Sequence, residues 1–260
     1  MAVAAVIFEA VISIERWPRR HRHFIGEHLM TSQWIDIPAQ EGGTFKGYLA
    51  LPPTGKGPGL VLIQEIFGVN HHIQAVADQY ALDGYVVLAP DLFWRTQVGV
   101  SLGYSDAEWA IAFDLMGQLD FDLAIQDLGI TLKALRARSE CTDKVASLGY
   151  CLGGLLSYLT AVNTDVDAAV CYYPGSIDSK LDLVGRVTCP ILINFAEQDK
   201  YISPAAVAAV QAAFSSAKQA HIEVYPGVDH GFSCWERPVY NQTASALAHG
   251  KSLIFLAQNL

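Results

Sequence analysis

Cys151 sits in Gly149-Tyr150-Cys151-Leu152-Gly153-Gly154, between an apolar run (Val145 to Tyr150) and a helical pattern (Leu152 to Val162). A sharp strand-to-helix turn of this kind lifts a nucleophile clear of its neighbours, here with cysteine where serine is more usual. The turn strains the backbone of its central residue, so the flanking positions must be small, and Gly149 and Gly153 supply that room. The helix beginning at Leu152 points its first amides at the sulfur, which favours a thiolate and an oxyanion alike. A thiol needs a base, and the base needs an orienting acid. The segment ILINFAEQDKYISP puts Asp199 four residues past an apolar run, and IEVYPGVDHGF puts His230 five residues past the last one. A single loop Asp or His is more often structural. Three in the order nucleophile, acid, histidine, each just beyond an apolar run, make a candidate triad.

The elements that must position these residues follow from the hydrophobic pattern. Phe45 to Leu51, Gly59 to Gln64, Tyr85 to Ala89, Val145 to Tyr150, Val166 to Tyr173, Ile191 to Phe195 and Ile222 to Tyr225 read as strands, several of them near-continuous apolar runs buried on both faces. Ile73 to Leu82 has helical spacing and Gly84 closes it. Further helical patterns cover Asp106 to Gly117, Asp120 to Arg138, Leu152 to Val162 and Val239 to Ala257, while Asp91 to Tyr104 has no period and reads as a loop over the site. Alternating strands and helices imply an α/β fold, a mostly parallel sheet with helices on both faces in three layers. Right-handed crossovers then gather the loops after each strand along one carboxyl edge, so Cys151, Asp199 and His230 are expected to meet there.

Composition narrows the partners. With 52% hydrophobic and 17% charged residues the chain can bury a deep core, and a formal net charge of -9 argues against nucleic acid. Five cysteines without CxxC spacing argue against a disulfide framework or zinc site and point to the cytoplasm. Cys171 and Cys189 lie in apolar strand contexts and read as core thiols. His71 and His72 lack a third ligand at helical spacing, so surface or capping roles are expected and no metal. No Walker A or dinucleotide glycine fingerprint occurs, so no cofactor is expected. Residues 1–29 carry their basic run (Arg16, Arg19, Arg20, Arg22) after a short apolar stretch, the reverse of a secretory signal. That stretch is also too short to span a membrane. They are expected to be an extension outside a single domain formed by residues 30–260.

The chain also resembles the dienelactone hydrolase (carboxymethylenebutenolidase) family of the α/β-hydrolase superfamily. The matching pieces are QEIFG (Gln64 to Gly68), APDLFWR (Ala89 to Arg95), GYCLGG, YYPG (Tyr172 to Gly175), the QD of AEQDKYIS, and HGF. The resemblance implies that Glu65 contacts the resting thiol and takes its proton when substrate displaces it, which limits oxidation of a standing thiolate. The alternative for Glu65 is a cap on the helix near His72. The backbone amides of Ile66 and Leu152 would form the oxyanion hole, each donor contributing about 3 kcal/mol to the transition state. Arg95 would bind a substrate carboxylate, with Tyr173 and Trp94 lining the pocket. The family carries a second substrate arginine four residues after its histidine; this chain has Cys234 there, and the nearest basic residue is Arg237.

The expected activity is therefore hydrolysis of a small activated ester or lactone through a covalent thioester, by a monomer acting on a small-molecule substrate. A thiolate leaves easily, so ordinary esters would revert at the tetrahedral stage, and activated esters suit it better. A general carboxylesterase or thioesterase of the same fold, or a binding protein that keeps the pocket without the chemistry, are the competing readings.

Overall fold

A computed structural model describes residues 31–260, so the expectation for residues 1–29 lies outside the described residues. The strands are β1 (Thr31–Pro38), β2 (Thr44–Leu51), β3 (Gly57–Ile63), β4 (Val86–Pro90), β5 (Cys141–Tyr150), β6 (Ala168–Tyr172), β7 (Ile191–Ala196) and β8 (Ala220–Tyr225). The helices are α1 (His71–Leu82), α2 (Asp106–Gln118), α3 (Phe121–Arg136), α4 (Leu152–Asn163), α5 (Pro204–Ala213) and α6 (Gln242–Asn259), with a kinked 3₁₀ segment at Ile177–Arg186.

The strands form one sheet in the order β1-β2-β4-β3-β5-β6-β7-β8. β1 and β2 pair antiparallel, β2 pairs antiparallel with β4, and every pair from β4 onward is parallel. The central strands are apolar on both faces because helices cover both. Leu60, Val61, Leu62 and Ile63 of β3 are fully buried, as are Val86 to Ala89 of β4 and Ala168 to Cys171 of β6. Each large aliphatic side chain buried this way contributes roughly 1.5–3 kcal/mol. α1 and α6 adjoin on one side, where the rings of Tyr80 and His249 lie 4.8 Å apart. α3 and α4 pack together against β3 and β5. A buried hydroxyl pair, Ser147 with Ser157 at 2.8 Å, ties β5 to α4.

Helix starts follow their caps. Ser105 and Glu108 close a reciprocal capping box on α2, Asp120 caps α3, and Ser203 followed by Pro204 opens α5. Asn70, whose side chain accepts from the Ile73 amide at 3.1 Å, caps α1, so neither Glu65 nor a histidine fills that role. The segment from Asp91 to Tyr104 is pinned to the loop after β3 by a bridge between Gly68 and Ser101 and by the Leu102 amide donating to the Phe67 carbonyl at 2.9 Å, but none of its residues lines the cavity described below, so it is not the expected loop over the site.

Candidate active site

Cys151 follows β5 directly and is the residue from which α4 starts. Its backbone has φ 55° and ψ −115°, a strained conformation for a side chain with a Cβ. The turn is possible because a Cβ on Gly149 would lie 2.0 Å from the Gly153 carbonyl oxygen, and one on Gly153 would lie 2.3 Å from that of Ile63. The Cys151 amide donates to the Tyr172 carbonyl at 3.0 Å, fixing the turn to β6. No side chain caps α4, so the amides of its first turn are open toward the sulfur.

Asp199 and His230 arrive from the loops after β7 and β8, the sheet edge where they were expected. His230 Nδ1 lies 2.8 Å from Asp199 Oδ2, with both side chains buried. The other carboxylate oxygen, Oδ1, accepts from the amides of Tyr201 (2.8 Å) and Ile202 (3.0 Å), so the acid is held in one orientation. The imidazole is packed between Tyr173 and Tyr201, with ring centroids at 4.8 and 5.0 Å. Its free Nε2 makes no well-aligned hydrogen bond, yet the Cys151 sulfur lies close enough to act on it. Burial opposes the charged imidazolium, but Cys151 and Asp199 outweigh it and raise His230 to about 10.

Glu65 lies two residues past β3, 1% exposed, with neither carboxylate oxygen hydrogen-bonded, so the expected contact with the Cys151 thiol is not made in this structure. Burial raises its pKa; Arg237 and His230 pull in the opposite direction without cancelling that. Arg237 Nη1 is 3.6 Å from Glu65 Oε1, and the guanidinium lies over the Trp109 ring at 5.1 Å. The arginine passes over Gly231, where an added Cβ would come within 2.0 Å of Nη1. Cys234, at the position of the expected second arginine, is fully buried and donates to the Tyr104 hydroxyl at 3.2 Å. Sequence reading noted Arg237 only as the nearest base; a glycine directly after the catalytic-type histidine, leaving space for a long side chain, was the signal that could have singled it out.

A cavity of about 750 Å³ opens above this cluster, and Ile66, Cys151, Leu152, His230 and Arg237 all line it. The structure does not bring Arg95 or Trp94 to it. Arg95 forms a bidentate ion pair with the buried Asp127 and reaches Glu41 at 2.7 Å, while the Trp94 ring nitrogen donates to the same Asp127 at 2.8 Å. The guanidinium also lies 4.3 Å from the centre of the Trp94 ring. A buried carboxylate on α3 needs a cation more than open solvent does, and it holds this arginine away from the cavity. Tyr173 does not line the cavity either; it is fully buried behind His230, its hydroxyl without a partner. His72 departs from the expected surface role: it is fully buried against Trp235, at 4.3 Å between ring centres, and burial followed by the nearby Arg237 lowers it to about 4. Cys171 and Cys189 are buried thiols pushed upward by burial. Among the described residues no group of three or more His, Cys, Asp or Glu could hold a metal, and no helix is long and apolar enough to cross a membrane.

Comparison with known proteins gives the same picture. The model of the dienelactone hydrolase family matches residues 45–260. Carboxymethylenebutenolidase 1 of Cupriavidus pinatubonensis is 30% identical over 231 residues, covering 88% of this chain and 97% of its own. An Azospirillum brasilense protein given the same activity provisionally is 35% identical over 229 residues, covering 87% of this chain and 98% of its own. A Klebsiella pneumoniae crystal structure, provisionally a dienelactone hydrolase, superposes with a TM-score of 0.79 at 27% identity, covering 88% of this chain and 99% of that one. A Cys-containing elbow at the edge of an eight-stranded α/β-hydrolase sheet, together with a family match over most of its length, places this chain in the dienelactone hydrolase family.

Proposed function

We propose that this hydrolase of esters or lactones works through Cys151, His230 and Asp199, with a covalent thioester on Cys151. The observation that carries the reading is the Asp199–His230 contact at 2.8 Å, with Cys151 beside the imidazole on the floor of a cavity. The Cys151 thiolate attacks the carbonyl carbon, and the carbonyl oxygen, now anionic, is held by the amides of Ile66 and Leu152. The carbon–oxygen bond then breaks, and the leaving oxygen takes a proton from His230. Water attacks the thioester, gives its proton back to His230, and releases the acid and the thiolate. Asp199 holds the imidazole in the tautomer this requires.

Glu65 and Arg237 give the reading its control. A substrate carboxylate near Arg237 draws the guanidinium away from Glu65. The buried glutamate then loses the cation that stabilises its charge and becomes a stronger base, able to accept the thiol proton; His230, raised to about 10, enters as the imidazolium, and Glu65 returns its proton to the sulfur when the product leaves and Arg237 comes back. Arg237 thus takes the carboxylate-binding part that the sequence suggested for Arg95. The five cysteines all stand free, which agrees with action in a reducing compartment such as the cytoplasm.

The test is hydrolysis of cis- and trans-dienelactone, p-nitrophenyl acetate and an acyl thioester by the wild type and by Cys151→Ala. Turnover that disappears in the variant, with mass spectrometry detecting an acyl adduct on Cys151 during turnover, is the expected result. Equal turnover by both proteins would overturn the nucleophile assignment.

A further inference from the structure

The cavity is far larger than a small lactone needs, and its shape has a direction. Leu152, Leu155, Leu159 and Asn163 line it in succession. On a helix these positions fall on one stripe, and from first to last they rise about 16 Å along α4. The cavity therefore extends away from Cys151 for the length of that helix. The facing wall comes from α2 and α3 through Phe113, Met116, Phe121 and Ile125, all apolar, and Phe113 is 44% exposed. Exposing an aromatic ring inside a groove is costly when nothing covers it.

The far end changes character. Arg186, from the 3₁₀ segment, lies there beside Asn163; Lys180 of the same segment also lines the cavity, as does Asp122 of α3, the single carboxylate among its walls. Arg186 Nη2 donates to the neutral Asn163 Oδ1 at 3.0 Å, leaving the guanidinium charge without a carboxylate at that contact. Polar groups at both ends and apolar walls between them fit a molecule built the same way.

We propose that the site takes an activated ester whose non-reacting arm is an apolar chain of roughly twelve carbons ending in an anion beside Lys180 and Arg186. The length follows from about 16 Å of groove and a projection of about 1.3 Å per methylene from carbon–carbon bonds near 1.5 Å. This rests on the esterase reading of Cys151 and extends it from the reacting group to the rest of the substrate.

Linear dicarboxylates from succinate to tetradecanedioate probe the groove without any chemistry, one carboxylate for Arg237 and the other for the distal cations. Isothermal titration of the full chain should show affinity rising about two- to fourfold per added methylene, the range expected for partial to full burial. It should peak near dodecanedioate, and monocarboxylates of equal length should bind about tenfold more weakly. Arg186→Ala and Lys180→Ala, both at exposed positions, should erase the difference between the two series. A series flat in length, or a dicarboxylate advantage that survives both substitutions, would overturn the proposal. Hydrolysis of p-nitrophenyl acetate by wild type but not Cys151→Ala, run on the same preparations, separates this failure from failure of the triad itself.

Discussion

Replacing Arg237 by Met should destabilise the protein by an amount set by pH, because the arginine is the nearest cation to a buried carboxyl. At the observed 3.6 Å to Glu65, a unit charge pair in an effective dielectric of about 20 is worth about 4.6 kcal/mol. Removing the guanidinium also relieves its own desolvation, so the net cost with Glu65 ionised is about 3 kcal/mol, in the range for breaking a buried pair. The sign follows from Glu65's raised pKa. A carboxyl whose folded pKa lies above its unfolded value favours folding most when protonated and loses that contribution as pH rises through the folded pKa. Without Arg237 the folded pKa rises further, so the variant suffers most at pH 8. As pH falls through the Glu65 pKa the cost shrinks toward the lost packing on Trp109, about 1 kcal/mol. Urea unfolding of wild type, Arg237→Met and Arg237→Met/Glu65→Gln at pH 8 and pH 5 measures this. A loss equal at both pH values, or a double variant no more stable than the single at pH 8, would refute the coupling.

Further expectations follow from the same geometry. Asp199→Asn should lower the His230 pKa from about 10 and reduce kcat by about three orders of magnitude or more, read from a pH–rate profile. A raised imidazole stabilises the fold fully below its unfolded pKa near 6.5 and loses that contribution as pH rises through its folded value. The melting temperature of this variant should therefore fall more at pH 6 than at pH 10. Arg95→Ala should destabilise by about 3–5 kcal/mol by stranding the buried Asp127, with KM for a carboxylated ester little changed; a large rise in KM with stability intact would return Arg95 to the substrate. Gly149→Ala places a methyl group 2.0 Å from a backbone oxygen, so soluble, folded protein should be lost, as circular dichroism of the expressed chain will show.

The strands of the parallel sheet were legible because burial on both faces leaves unbroken apolar runs such as GLVLIQ, and Cys151, Asp199 and His230 were legible because each falls within five residues after a strand's apolar run. β1 was not: of its residues only Ile37 is buried, so its sequence lacks the alternation of a half-buried strand. α5, with PAAVAAVQAA, offers little contrast between its faces. Arg95 matched a motif, but its partner Asp127 lies 32 residues away on α3 and is met only in the folded state. Arg237 needed the turn through Gly231 to carry it back over Glu65, a tertiary path that spacing alone does not reveal.

The three residues of the proposed triad follow three different strands, and the last of these has a weak hold on the sheet. β8 is the edge strand at the parallel side of the sheet, only Tyr225 on it is buried, and it leads into the loop carrying His230. Stability is not uniform through a fold, and poorly buried edge segments open first. Fraying of this edge would withdraw the histidine while Cys151, directly after the buried end of β5, stays in place. In mild denaturant, activity should therefore vanish before helical circular dichroism changes, and hydrogen exchange should find β8 the first of the parallel strands to open. Catalysis in this protein reports the integrity of its rim, whereas its bulk structure reports the centre.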